Sequence, residues 1–413
     1  MEKAILVGLS ITNIVDSQKS MAELASLAEA CQVEVIDQMI QRADSPTANY
    51  YIGPGKVEEL KQLCATLEAD LVIFDDELSP SHIRNLEKKL DIKVIDRTIL
   101  ILDIFASRAK TKEAMLQVLL AQSQYMLPRV VGLHSSFSRQ KSGTGSKGPG
   151  EQQIELDRRI LRDNISRLKD ELKELVAIRR TQRQKRLKDG VFTVALAGYT
   201  NAGKSSLLNQ LLSFSVLKAD KLVFEKNMLF ATLETSTRSI TLLNNHQFLV
   251  TDTVGFISRL PHHLVEAFKS TLEEIKEASL ILHVVDTSNP DYEKQIQVVE
   301  EVLRSIDVVD IPIMYVFNKI DLCPEKNIEN HHPHVKVSAF TGEGVDQLVL
   351  KIDEMISSTY RRVKMIIPFQ KGSIYNTLKE KCEIYSTEYL EDGTHVEVLL
   401  PEELYQRFLP YIK

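Results

Sequence analysis

Three stretches between positions 198 and 339 carry residue types and spacings that suit phosphate and base recognition. The first is GYTNAGKSS, residues 198–206, set between the apolar run FTVALA and the helix-like LLNQLL. It fits G-x-x-x-x-G-K-[ST] through Gly198, Gly203, Lys204 and Ser205. Glycines let such a loop wrap and point N–H groups at phosphates, at a helix N-terminus that already favours anions. Tyr199, Thr200, Asn201 and Ala202 form the wall of the cradle, and Ser206 follows it. Lys204 is expected to reach the β- and γ-phosphates, and Ser205 to place its hydroxyl on Mg²⁺.

A phosphate loop does not separate adenine from guanine; MYVFNKID, ending an apolar strand, does. A carboxylate at Asp321 can accept hydrogen bonds from guanine N1–H and its 2-amino group, and adenine offers neither. Asn318 and Lys319 are expected to fix the loop and cover the base. VKVSAF brings Ser338 and Ala339 to the end of one more strand, where a second base contact is expected. Between these lies FLVTDTVGF, in which Asp252 would hold Mg²⁺ through water. Thr253 and Val254 lead to Gly255, whose N–H would meet the γ-phosphate. Upstream, LFATLETSTRS offers Thr232 as the hydroxyl that joins Mg²⁺ in the triphosphate state, with Thr235 and Thr237 as rivals. Phe230, Ala231, Leu233 and Glu234 surround it. The two segments are candidates for order–disorder switches. The implied ligands are GTP and GDP, with Lys204, Thr232 and Gly255 nearest the chemistry. Position 256 is Phe, where Ras-like enzymes carry a glutamine that orients the attacking water. Slow turnover alone and acceleration by a partner are therefore expected. Asn201 resembles the loop asparagine of GTPases that use K⁺ in place of an arginine.

Positioning these loops requires a parallel sheet with helices. Residues 191–359 alternate strand and helix patterns, as a P-loop domain with a mostly parallel sheet must. The 413-residue chain has room for more. Residues 1–105 alternate in the same way (KAILVGL, QVEVIDQMI, DLVIFDD, IKVIDRT) and read as a separate parallel α/β domain. Residues 361–413 read as a small α+β domain with a hairpin turning at Asp392-Gly393. No apolar run is long enough for a membrane span. The four cysteines are widely spaced and match no metal or redox pattern, as expected of reduced thiols in a cytoplasmic protein. Nothing points beyond a monomer. HHPH, residues 331–334, reads as a loop rather than a metal site.

Residues 106–188 differ. Leu161, Ile165, Leu168, Leu172 and Leu175 are spaced four-three-four-three, a heptad seam on a helix of roughly 55 Å. The preceding helical stretch supplies a partner, giving an antiparallel helical hairpin. Net charge is −6 overall. Yet positions 108–188 carry about 19 basic residues and roughly half as many acidic ones, the asymmetry of a segment with an anionic partner. The hairpin's glycine-rich loop, 139–150, contains Arg139, Lys141, Gly143, Gly145, Lys147, Gly148 and Gly150. No buried strand leads into it and no Lys-Ser pair follows, so it is not a second nucleotide cradle. Glycine lets backbone approach a crowded surface, and Lys and Arg neutralise phosphates. Folded RNA, read by shape, is the natural target. RRTQRQKRLK, 179–188, is a second basic run, either a solvated helix end or a phosphate contact. YIGPGKVEEL, 51–60, is either a tight turn or a small anion site.

Taken together, YIGPGKVEEL, FDDELSP, ILDIFASRAKTKEAMLQV, SRQ, GPGE, DRR, GYTNAGKSSL, LFATL, DTVGFI, LPHHLVEAFKSTLEE and NKID resemble the HflX family of translation-factor-related GTPases over essentially the whole chain. The resemblance implies a GTPase that binds the large (50S) ribosomal subunit, sets residues 139–150 against ribosomal RNA, and splits or rescues stalled ribosomes under stress. It also aligns Thr232 with the family's switch threonine. Departures are Ser142 at the start of the glycine loop, Gln152 after it, and Glu234, Thr235 and Ser236 in place of the usual Asp-Pro-Thr. Two other function classes compete: a nucleotide-stabilised, non-catalytic ribosome- or RNA-binding factor, and an ATP-linked RNA remodeller using the N-terminal domain. Substitution at Lys204 or Ser205 tests the former. Adenine-nucleotide binding that survives Asp321→Asn would favour the latter.

Overall fold

In the computed structural model of the chain, the described residues are 1–11, 14–130, 149–188, 191–216, 230, 236–244, 246–259, 269–308, 310–323 and 331–413. They fall into two compact units. The first comprises Met1–Leu175 with Met228–Leu233 and Arg259–Phe268; the second comprises Val176–Asn227, Glu234–Ser258 and Lys269–Lys413.

In the first unit, β1 (Lys3–Ser10), α1 (Ile14–Ala30), β2 (Glu34–Arg42), α2 (Pro54–Leu67), β3 (Leu71–Phe74), α3 (Pro80–Leu90) and β4 (Lys93–Asp96) follow the expected alternation. The strands form a parallel sheet in the order β2-β1-β3-β4. Both faces of β1 and β3 are buried, so the strands read as continuous apolar runs rather than alternating ones. Ser79 caps α3, accepting the His82 N–H at 3.2 Å. The strand expected in IKVIDRT stops at Asp96. There its carboxylate accepts the Ile99 N–H at 3.1 Å and starts α4 (Arg97–Arg108), a helix absent from the sequence reading. At the carboxyl end of β3, Asp75 accepts from Arg97 at 2.8 Å and from Arg259 at 2.8 Å.

Next come α5 (Lys112–Met126) and α6 (Pro149–Lys188), the latter 40 residues long. Four of the five expected seam residues close on the partner helix: Leu168 and Leu172, with Ile165 and Leu175 beside them, pack on Leu116 and Leu120 of α5, while Leu161 stands outside this cluster. The expected RNA contacts Arg139, Lys141, Gly143, Gly145, Lys147 and Gly148 lie outside the described residues; Gly150 lies in the first turn of α6.

The second unit holds a six-stranded sheet of β5 (Phe192–Gly198), β6 (Ser236–Thr241), β7 (Gln247–Asp252), β8 (Leu280–Asp286), β9 (Ile313–Asn318) and β10 (His334–Lys336). Its order is β10-β9-β8-β5-β7-β6, parallel except for β6. Helices α7 (Lys204–Ser213), α8 (Lys269–Lys276), α9 (Tyr292–Ser305) and α10 (Val345–Thr359) follow strands. Leu207, Leu208 and Leu211 of α7 share one core with Leu348, Ile352 and Ile356 of α10 and with Val194 and Leu196 of β5. Each such side chain contributes roughly 1.5–3 kcal/mol on burial. The phosphate loop's helix is thus anchored to the sheet centre. Strands β7 and β8 flank β5 on opposite sides, so the loop sits where the strand order reverses, the place where α/β sheets bind ligands.

The same unit ends in β11 (Arg361–Ile367), α11 (Gly372–Lys381), β12 (Glu383–Leu390), β13 (Gly393–Leu400) and α12 (Glu402–Phe408). The strands form an antiparallel sheet ordered β11-β13-β12, with the hairpin turning at Asp392-Gly393 as expected. Its core of Met365, Ile367, Leu378, Val396, Val398 and Phe408 is its own.

Candidate guanine-nucleotide site

Glycine is required twice at the phosphate loop. A Cβ at Gly198 would collide with the Val284 carbonyl oxygen of β8, and one at Gly203 with the Asn318 amide nitrogen. Gly203 also has φ +91° and forms the N-cap of α7. Lys204 is buried, and its Nζ donates to the carbonyls of Gly198 at 3.0 Å and Tyr199 at 2.8 Å. Burial pushes its pKa down to about 8, opposed by the nearby Asp252 carboxylate. Next to it, Ser205 Oγ donates to Asp252 Oδ2 at 2.8 Å. A hydroxyl and a carboxylate side by side are the hard oxygen donors that Mg²⁺ takes when phosphates and water complete its shell. Ser205 and Asp252 therefore fit the ion that a GTP-binding P-loop domain implies. Bound there, it would neutralise charge on the phosphates.

Residues 255–258 lie against the same loop. Phe256 N–H donates to Gly198 O at 3.1 Å, and Thr200 N–H donates to Phe256 O at 2.7 Å. The Tyr199 hydroxyl accepts the Ser258 N–H at 2.7 Å and bonds Ser258 Oγ at 2.5 Å. Gly255 is consequently wedged: a Cβ there would lie 2.9 Å from Thr200 Cγ2 and 3.1 Å from Lys204 Nζ. Phe256, in the glutamine position, is buried and contributes backbone only to this contact. Val254 is buried as well. Thr253 is fully buried and donates its hydroxyl to Leu196 O at 2.6 Å, so its side chain serves strand β5.

At the base end, Asn318 is nearly inaccessible and bonds in two directions. Its Nδ2 donates to Ala202 O at 2.8 Å, and its Oδ1 accepts the Ala339 N–H at 2.8 Å. One amide thereby ties the phosphate loop to the Ser338-Ala339 turn. Asp321 Oδ1 accepts from Ser338 Oγ at 2.6 Å, which orients the carboxylate. Lys319, at φ +64°, pairs with Asp286 at 2.7 Å.

The structure thus brings together Gly198, Tyr199, Thr200, Asn201, Ala202, Gly203, Lys204, Ser205 and Ser206 with Asp252, Gly255, Asn318, Lys319, Asp321, Ser338 and Ala339 on the carboxyl edge of one sheet. Phe230 is not among them; it belongs to the first unit, its ring edge-on to Phe105 at 4.6 Å. Ala231, Thr232, Leu233 and Glu234 lie outside the described residues. Sequence reasoning missed the Asp286 partner of Lys319 and the Tyr199–Ser258 staple. A signal existed for Asp286, which ends LILHVVD at the same sheet edge as NKID.

Comparison with known proteins adds a series of family models along the chain. GTP-binding GTPase N-terminal matches residues 18–106, GTP-binding GTPase Middle Region 108–186, 50S ribosome-binding GTPase 193–319, and HflX C-terminal domain 325–404. GTPase HflX of Lacrimispora saccharolytica is 43% identical over 98% of this chain and 95% of that protein. GTPase HflX of Caldanaerobacter subterraneus subsp. tengcongensis is 43% identical over 100% and 94% respectively. Among solved structures, a GTP-binding protein from Sulfolobus solfataricus in complex with GDP is 24% identical, covering 87% of this chain and 99% of that one, with a TM-score of 0.44. With the phosphate loop, NKID and Ser338-Ala339 gathered at one sheet edge and relatives aligned end to end at this identity, the chain belongs to the HflX family of GTPases.

Proposed function

We propose that this GTPase engages the large ribosomal subunit in its GTP state, releases on hydrolysis, and splits or rescues stalled ribosomes under stress. The observation that carries this is that one chain holds both a guanine-nucleotide site and the helix pair α5 and α6. These helices are zipped by an apolar seam and flank the basic, glycine-rich residues 139–150. Relatives aligned along the full length and a matching model described as a 50S ribosome-binding GTPase support the same partner. In this reading residues 139–150 lie against ribosomal RNA, Thr232 joins Mg²⁺ with Ser205, and Asn201 holds K⁺. The working division is 1–105, 106–188, 191–359 and 361–413; strand β10 and helix α10, both in the second unit's sheet and core, support extending the GTPase domain to 359.

Sedimentation with ribosomal subunits tests the proposal. Co-migration with the large subunit is expected with a non-hydrolysable GTP analogue and loss of it with GDP; equal binding in both states would refute a GTP-gated switch. Hydrolysis should be faster in K⁺ than in Na⁺, and equal rates would remove the K⁺ role of Asn201. The ATP-linked alternative draws no support from the 51–60 turn. Gly53 N–H is taken by Gln41 Oε1 at 2.8 Å, and Lys56 pairs with Glu59 at 2.7 Å.

A further inference from the structure

Thr200 has one feature that the other described phosphate-loop residues lack. The residue is 7% exposed, and its Oγ1 is buried with no hydrogen-bond partner. Buried hydroxyls are almost always paired, and an exception at a ligand site calls for a partner that arrives with the ligand. The surroundings indicate which part of the ligand. Thr200 Cα and Cγ2 lie 3.0 and 2.9 Å from the point where a Cβ on Gly255 would stand, and Lys204 Nζ lies 3.1 Å from that same point. Thr200 therefore stands on the side of the loop where the ammonium and the Gly255 peptide converge, the γ-phosphate side, with its methyl toward Gly255 and its hydroxyl buried on the same residue. The loop's main chain is committed there, since Thr200 N–H is donated to Phe256 O at 2.7 Å. Phe256 itself offers no polar side chain.

We propose that the Thr200 hydroxyl is a catalytic group of GTP hydrolysis, supplying the hydrogen bonds that hold the attacking water against the γ-phosphate. Water oxygen bonds to the γ-phosphorus as the bond from phosphorus to the β–γ bridging oxygen breaks. GDP leaves with that electron pair, and the water's proton passes to the released phosphate. Thr200 keeps its own proton throughout. It accepts a hydrogen bond from the water and donates one to a γ-phosphate oxygen, which is orientation rather than base catalysis. This role depends on GTP hydrolysis alone and not on the ribosomal partner.

Single-turnover hydrolysis without ribosomes tests it, on the full chain and on Thr200→Val and Thr200→Ser, with GDP affinity measured in parallel. Thr200→Val preserves shape and removes the hydroxyl. Its rate should fall on the order of 100-fold, with GDP affinity within about twofold of the parent. Thr200→Ser should retain most of the rate. An unchanged rate in Thr200→Val would overturn the proposal. So would a parallel fall in GDP affinity, which marks a structural role, or failure of Thr200→Ser to hydrolyse. Should Thr200→Val not fold, Thr200→Ala against Thr200→Ser poses the same question.

Discussion

The base end and the phosphate end of the nucleotide site are wired in different ways. At the base end Asn318, Lys319 and Asp321 are each already bound to another protein group: Asn318 to Ala202 and Ala339, Lys319 to Asp286, and Asp321 to Ser338. The Asp321 carboxylate is thus held in place by Ser338 before any base arrives. At the phosphate end Lys204 donates to carbonyls of its own loop, and the Thr200 hydroxyl is buried without a partner. Phosphate must replace those internal bonds. The base end is thus pre-bonded by the fold, whereas the phosphate end holds internal bonds that a ligand would exchange.

Four substitutions or titrations would break or sharpen this contrast. The largest effect is expected for Asn318→Ala. It leaves a buried carbonyl and a buried N–H unpaired, at about 1–3 kcal/mol each, so urea unfolding should show a loss of about 2–6 kcal/mol. Binding of both GDP and GTP should weaken together. Asp321→Asn removes the charged acceptor but little structure. GTP affinity should fall about 100-fold or more with near-parental unfolding, read by calorimetry; comparable losses in stability would mean that the carboxylate is structural. The third probe is pH. Because burial holds Lys204 down to about 8, the free site keeps its charge below that pH and loses it above. Binding above about pH 8 must restore the proton, so GTP affinity should fall by up to about tenfold per unit. Proton uptake should be visible as a buffer-dependent binding enthalpy. A flat profile between pH 7 and 9 would show that the ammonium stays charged. The smallest effect belongs to Tyr199→Phe, which loses the staple to Ser258 but keeps the ring. With about 1 kcal/mol at stake, affinity for a GTP analogue should drop about fivefold relative to GDP. Equal losses for both nucleotides would place the staple outside the switch.

Much of this site was legible because its chemistry is contiguous in the chain. A phosphate loop must be glycine-rich at fixed spacing and must run from a strand into a helix, so residues 198–206 declare themselves. NKID and the heptad seam of α6 do so for the same reason, a local pattern tied to one geometry. Helix α4 was missed because ILILDIF is apolar without a clear period, and the signal that starts it is a side-chain cap made by Asp96. Phe230 was grouped with the nucleotide by its neighbours in sequence, but its ring packs edge-on to Phe105 in the first unit.

What residue types and spacing settled is the ligand class, the sheet that carries it, and the family. Each rests on groups that must be near one another in the chain to work at all. Other features came from folding: the Asn318 amide bridging to Ala202 across 116 positions, the Tyr199 hydroxyl meeting Ser258, the packing of Thr200 against Gly255, and the burial of Thr200 Oγ1 without a partner. Hydrogen bonds of that kind depend on angles and burial that arise when distant strands pack, and no local pattern encodes them.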